Sequence, residues 1–240
     1  MRNVKLKAVL RQIITDEKGE RMNCKEYRFS IEQNAIPMDS FIRRFHFDEK
    51  DRELLVATER FLVEMITIEA GIQYREDGTV SVVTLGKRFD ELSNLVAESG
   101  NLLLAYSMEC FAMEFLSKSY EKMNEMVFRE TGKWMGEYHF WGTDNSEEIR
   151  RILEAFQNLF ITQTDGMLRP LKSVIFAADY KEKKEESGCH NCEQCNNVTC
   201  SFRNIIKKQN PKRKPGYPTS SKGAVYSYGI SRIMGHDRKE

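Results

Sequence analysis

The stretch 72–86, IQYREDGTVSVVTLG, carries the strongest strand signal in the chain. Apolar and polar residues alternate on both sides of Asp77-Gly78, and an Asp-Gly pair between alternating runs is a strong short-range signal for a β-hairpin. Upstream, VKLKAVLRQIIT (4–15) and CKEYRFSIE (24–32) read as two strands around the turn DEKGE (16–20). Between them and the hairpin, DEKDRELLVATERFLVEMITIEAG (48–71) opens on acids and spaces Leu54, Leu55, Ala57, Phe61, Leu62, Met65 and Ile66 as a helix does, with Gly71 as its expected stop. The N-terminal third is thus a mixture of strands and helix.

Downstream comes a helical block. KRFDELSNLVAESG (87–100) is expected to end at Gly100. NLLLAYSMECFAMEFLSKSYEKMNEMVFRETG (101–132) carries an apolar face through Ala105, Met108, Ala112, Phe115, Leu116, Met123 and Met126, and stops at Gly132. Its first half is apolar almost all round, which predicts a path through the core, with Cys110 as a small buried hydrophobe. NSEEIRRILEAFQNLF (145–160) is read as a third helix, capped by Asn145 or Ser146, with Glu147 and Glu148 where the helix dipole favours negative charge. In ITQTDGMLRPLKSVIFAADY (161–180), Asp165-Gly166 and Pro170 mark turns and SVIFAA is a short strand. The charged run KEKKEE (181–186) is the expected boundary of this domain, 1–186.

The 240 residues are 40% hydrophobic and 30% charged, a soluble globular composition, and the net charge of +1 argues against a polyanionic partner for the whole chain. No run reaches the roughly 18 apolar residues that span a bilayer, and the N-terminus lacks a signal-peptide pattern, so no membrane association and a cytoplasmic location are expected. The segment 201–240 holds ten Lys or Arg against two acids. We read 204–240 as a flexible, solvated tail; binding of nucleic acid by it is the lesser expectation.

Beyond the boundary, SGCHNCEQCNNVTCSF (187–202) concentrates Cys189, Cys192, Cys195 and Cys200 at C-x2-C-x2-C-x4-C spacing. Cytosolic thiols stay reduced, so metal is favoured over disulfides. Three cysteines in consecutive x2 steps suit an iron–sulfur cluster, the leading expectation for segment 187–203. Zinc is the alternative, and a thiol cluster without metal the third. His190 reads as an exposed spacer and Cys24 as a structural residue in a strand.

Three stretches resemble a known family when taken in order. These are VTLGKRFDELSNLVAESGNLLLAYSMECFAMEFL (83–116), GKWMGEYHFWG (132–142) and ITQTDGMLRPLKSVIFAA (161–178), followed by the terminal cysteines. Their order over about 84–203 resembles the reactivation (AdoMet-binding) domain of cobalamin-dependent methionine synthase, in particular the stand-alone short forms. The resemblance implies an α+β fold, a twisted antiparallel sheet with flanking helices, and a shallow groove for S-adenosylmethionine. It also implies a role in restoring an oxidised corrinoid with one electron and one methyl group. The family's motif, Arg, three residues, Gly-Tyr, falls on 133–138. Tyr138 matches it. Lys133 keeps the charge of the Arg without its planar fork, and Glu137 stands where the family has glycine. The resemblance places the groove along Lys133, Tyr138 and Trp141 and along Pro170 and Ser173 of the 169–173 segment. Trp134, Tyr138, His139, Phe140 and Trp141 form the densest aromatic cluster, either a wall for a ligand or a packed loop over the core.

The chain has no Asp-x-His-x-x-Gly pattern to ligate cobalt, so cobalamin is expected on a partner, a corrinoid protein or methyltransferase subunit. The sequence also has no P-loop, dinucleotide fingerprint, H-E-x-x-H or nucleophile elbow, and no catalytic residue stands out. A binding module with structural zinc and a basic tail contacting nucleic acid or protein is the alternative function.

Overall fold

The computed structural model describes residues 8–15, 21–141 and 146–184, with side chains from 23 onward, Ser146 excepted. The cysteine segment 187–203 and the tail 204–240 lie outside the described residues, as do the expectations attached to them.

The architecture is α+β. The elements run β1 (Ala8–Thr15), β2 (Arg21–Phe29), α1 (Met38–Phe45), α2 (Arg52–Met65), β3 (Ile68–Tyr74), β4 (Gly78–Thr84), α3 (Lys87–Glu98), α4 (Leu102–Thr131), β5 (Trp134–Phe140), α5 (Ser146–Glu154), β6 (Thr162–Thr164), β7 (Met167–Arg169) and β8 (Ser173–Lys181). Six strands form one antiparallel sheet in the order β1-β2-β3-β4-β8-β5. The strand last in sequence, β8, lies between β4 and β5. That arrangement leaves β5 at the rim of the sheet. A separate two-stranded ribbon pairs β6 with β7.

Alternation along the strands divides the core into two faces. Cys24, Val80, Val82 and Ile175 point to one face and pack against Ile149, Ile152, Phe156, Leu159 and Ile161, from α5 and the segment after it. Phe176, Tyr138 and Phe140 point to the other, where Tyr120 of α4 meets them. Every residue of β4 is buried, as covering both faces requires.

Helix α4 organises the second face. Its 30 residues span about 45 Å. The Asn101 side chain accepts the Leu104 N–H at 3.1 Å at its start, and Gly132 ends it in the left-handed region at φ 72°. Phe111 stacks on Phe41 of α1 at 4.3 Å, and Arg44 pairs with Glu114, so α1 is fastened across the helix. Buried Lys25 pairs with Glu130 near the other end of α4.

Several expectations change. The helix over 48–71 ends at Met65, not at Gly71, because Ile66 is already extended and 68–74 pair as β3. Gly71 instead lies in mid-strand, where a Cβ would come within 2.4 Å of the Phe156 ring. In α4, burial begins at Ser107, while Leu102 and Leu103 of the first turn are exposed. The helix over 145–160 stops at Glu154, and a 3-10 turn covers Gln157–Leu159. The short strand SVIFAA extends to Lys181. Cys24 and Cys110 are buried as expected; burial pushes their thiols up to about 11 and about 12.

Candidate functional site along the β5 rim

The aromatic segment 134–140 is a strand rather than a loop. It pairs with β8 from Trp134↔Lys181 to Phe140↔Phe176, and the register shifts between Met135 and Tyr138. This bulge falls on Gly136 and Glu137. An isolated glycine inside an alternating run is the sequence signal for such a bulge.

Asp179 shows what the bulge accommodates. Its carboxylate accepts the Glu137 N–H and pairs with Lys181 Nζ at 2.9 Å, and the Lys181 contact holds its pKa below the usual carboxylate range. A Cβ on Gly136 would sit 2.4 Å from Asp179 Oδ1. The close approach to the backbone at this bulge is made at position 136. It is made by the chain's own carboxylate.

Around Tyr138 the rings form a compact group. Tyr138 lies 5.0 Å from Phe176 and 5.8 Å from Tyr120, and Phe140 lies 5.9 Å from Phe176 and 6.0 Å from Tyr120. Centroid separations this short mean the rings fill one another's space, so the group is a platform and not a cage. Phe176 is fully buried, whereas Phe140 is 40% exposed and offers the platform's open surface. Burial, followed by the nearby Glu121, pushes the Tyr138 phenol up to about 12. It stays protonated, and able to donate a hydrogen bond, through the neutral range.

Trp134 stacks on Phe128 at 4.2 Å, and Lys184 Nζ lies 5.0 Å above the Trp134 ring. Lys133 Nζ sits 5.6 Å from the Tyr180 ring centroid. The Met135 N–H donates to Asn124 Oδ1 at 2.7 Å, which fixes the start of β5 to α4.

The structure separates the remaining candidates. The Trp141 N–H donates to the Ile175 carbonyl at 3.1 Å, but Trp141 packs against the α5 cluster, on the face opposite Tyr138. Pro170 and Ser173 lie where β8 begins. Ser173 Oγ donates to the Pro170 carbonyl at 2.7 Å and lies 2.8 Å from Thr84 Oγ1; the Leu171 N–H donates to Asp90 Oδ2 at 2.7 Å. Lys172 pairs with Glu109 of α4. The eight residue steps from Ser173 to Lys181 cover about 26 Å. Lys133, beside Lys181, and Ser173 thus mark opposite ends of a line. Lys133 and Tyr138 lie along β5, Trp141 turns to the opposite face, and Pro170 and Ser173 stand at the start of β8, so the five do not ring one pocket.

The sequence left Tyr120, Phe176 and Asp179 out of the site. Tyr120 belonged to a helix read only for its core stripe, and Phe176 to a strand read as core. Nothing local marked the carboxylate of Asp179. Among the described residues, no group of three or more His, Cys, Asp or Glu side chains is placed to hold a metal ion. No described helix is long and apolar enough to cross a membrane. No family model matches the chain, and no curated protein matches it.

Proposed function

We propose that this chain is an accessory protein that reactivates a corrinoid-dependent methyltransferase, with S-adenosylmethionine lying along the β5 rim. One observation carries the reading: β5 is the last strand of the sheet among the described residues, and it strings Lys133, Tyr138 and the exposed ring of Phe140 along that edge. A purine stacks on the aromatic platform, and Lys133 offers a cation to a carboxylate. The bulge N–H of Glu137 already holds the Asp179 carboxylate, so the ligand's carboxylate depends on lysine and not on this backbone group. The motif order seen in the sequence supports the same reading.

A sulfonium supplies the methyl group, and its electron-poor carbon suits attack by a reduced cobalt centre on a partner protein. One electron and one methyl cation equivalent together restore the methylated corrinoid and release S-adenosylhomocysteine. The chain's part is to position the donor. Cys189, Cys192, Cys195 and Cys200 would hold an iron–sulfur cluster, which would supply the electron. Five residue steps, at most about 18 Å of extended chain, separate Lys184 from Cys189.

Titration calorimetry with S-adenosylmethionine tests the reading. Binding is expected, and Phe140→Ala, at an exposed position, raises the dissociation constant about tenfold, as loss of one stacked ring costs about 1.4 kcal/mol. No binding at millimolar ligand, or an affinity indifferent to Phe140, refutes the site.

A further inference from the structure

Helix α4 reaches both ends of the proposed site along one stripe. Asn124 and Thr131 follow Tyr120 by four and eleven residues. At about 100° per residue the three fall within about 40° of one another on the helix. Tyr120 belongs to the aromatic platform, 5.8 Å from Tyr138. Asn124 and Thr131 hold the other end, and about 16 Å of helix axis separates Tyr120 from Thr131.

The hold on that end is made by side chains on backbone. Thr131 Oγ1 donates to the Val127 carbonyl at 2.8 Å and accepts the Lys133 N–H at 3.1 Å. One hydroxyl thus bridges the last turn of the helix and the first residue beyond Gly132. Asn124, 3% exposed, accepts the Met135 N–H. The N–H groups on both sides of Trp134 are therefore fastened to α4, and Phe128 of the same helix stacks on Trp134 between them.

Lys133 is what this fastening presents. Lys25, Lys172 and Lys181 each pair with a carboxylate of the chain, those of Glu130, Glu109 and Asp179. Among the described residues no carboxylate pairs with Lys133, whose Nζ lies over the Tyr180 ring. A ring steadies an ammonium and leaves its charge and its N–H donors to be met from outside. A long side chain that binds a ligand must also give up rotamer freedom. Fixing the backbone on which it stands, and resting its ammonium on a ring, removes part of that cost before the ligand arrives.

We propose that Thr131 is a positioning residue whose hydroxyl aims Lys133 at the carboxylate of the bound ligand; this rests on the reading of the β5 rim as the S-adenosylmethionine site. Thr131 acts through the Lys133 backbone and touches no ligand. Lys133 lacks the planar fork of an arginine, so its direction has to come from where its backbone stands. Because Tyr120 and Thr131 share one stripe, α4 also sets the separation between the purine end and the carboxylate end of the site.

Titration calorimetry of the full-length protein compares S-adenosylmethionine with decarboxylated S-adenosylmethionine, which keeps the purine, the sulfonium and the amine. The parent is expected to bind the carboxylate-bearing ligand at least about tenfold more tightly, since only that ligand makes a charge-assisted hydrogen bond to Lys133. Thr131→Val keeps the shape of the side chain and removes the hydroxyl. It is expected to weaken S-adenosylmethionine about fivefold and to leave the decarboxylated ligand unchanged. Thr131→Ala should give the same split, and Thr131→Ser the parent affinity. Added to Lys133→Met, Thr131→Val should have no further effect. Equal weakening of both ligands, weakening of neither, or failure of Thr131→Ser to keep the affinity overturns the positioning role and leaves the β5 site standing. Equal parent affinities for the two ligands overturn it as well, and the site then rests on the Phe140→Ala result alone. No binding of either ligand by the parent at millimolar concentration overturns both.

Discussion

Replacing Gly71 by Ala sets two effects of opposite sign against each other. Gly71 lies within β3, and its φ is not in the positive region. On backbone entropy alone, Ala is favoured over Gly there by about 0.5–1 kcal/mol. Packing opposes it: the new Cβ would lie 2.4, 2.7 and 2.8 Å from three atoms of the Phe156 ring. Phe156 is 1% exposed and surrounded by the α5 cluster, so the ring has no room to retreat. Overpacking of this kind costs about 1–3 kcal/mol. The steric effect wins, and Gly71→Ala destabilises the protein by about 1–2 kcal/mol, a fall of about 3–6 °C in Tm. Urea denaturation followed by circular dichroism measures it. A double-mutant cycle with Phe156→Leu identifies the cause, because a smaller residue at 156 makes room for the methyl group and a coupling of at least about 1 kcal/mol follows. A Gly71→Ala protein as stable as the parent, or a cost indifferent to residue 156, refutes the reasoning. A glycine acting as a helix stop would give a cost with no such coupling.

Other predictions test the α4 anchor, the bulge and the metal segment. Glu130→Ala should cost about 3–5 kcal/mol, because it strands the charge of Lys25, which is 3% exposed; Lys25→Met should cost less, since the surviving Glu130 side chain is 37% exposed and rehydrates. Equal costs in denaturant titrations would contradict this. Lys181 keeps Asp179 more acidic than its ordinary 3.8, so the contribution of the ionised carboxylate is present above that value and fades as the pH falls through the lower folded value. Asp179→Asn should therefore lower Tm at neutral pH, and the difference should close in acid; a gap that persists at low pH would mean the side chain acts by shape. Anaerobic purification should give brown protein with broad visible absorbance that Cys192→Ser weakens, whereas colourless protein with one equivalent of zinc would remove the electron-carrying role.

Much of the fold was legible because it is written locally. The Asp77-Gly78 hairpin, the helix stop at Gly132 and the turn at Asp165-Gly166 depend on residues within a few positions of one another. Gly71 misled for the same reason: its meaning comes from Phe156, 85 positions away, and a glycine that stops a helix looks the same in a sequence as one that makes room for a ring. The aromatic segment 132–142 stood out by composition. Its alternation was masked by the bulge at Gly136 and Glu137, which offsets Tyr138 by one residue and breaks the two-residue period.

The sequence by itself determined the α+β class, the candidate residues Lys133 and Tyr138, and the spacing of the four cysteines. Tertiary structure alone decided that β8 lies between β4 and β5. That insertion puts β5 on the rim, brings Phe176 beneath Tyr138 and delivers Asp179 to the bulge. Strand order arises from long-range pairing and the burial of both faces of β4, and no short window of residues encodes it.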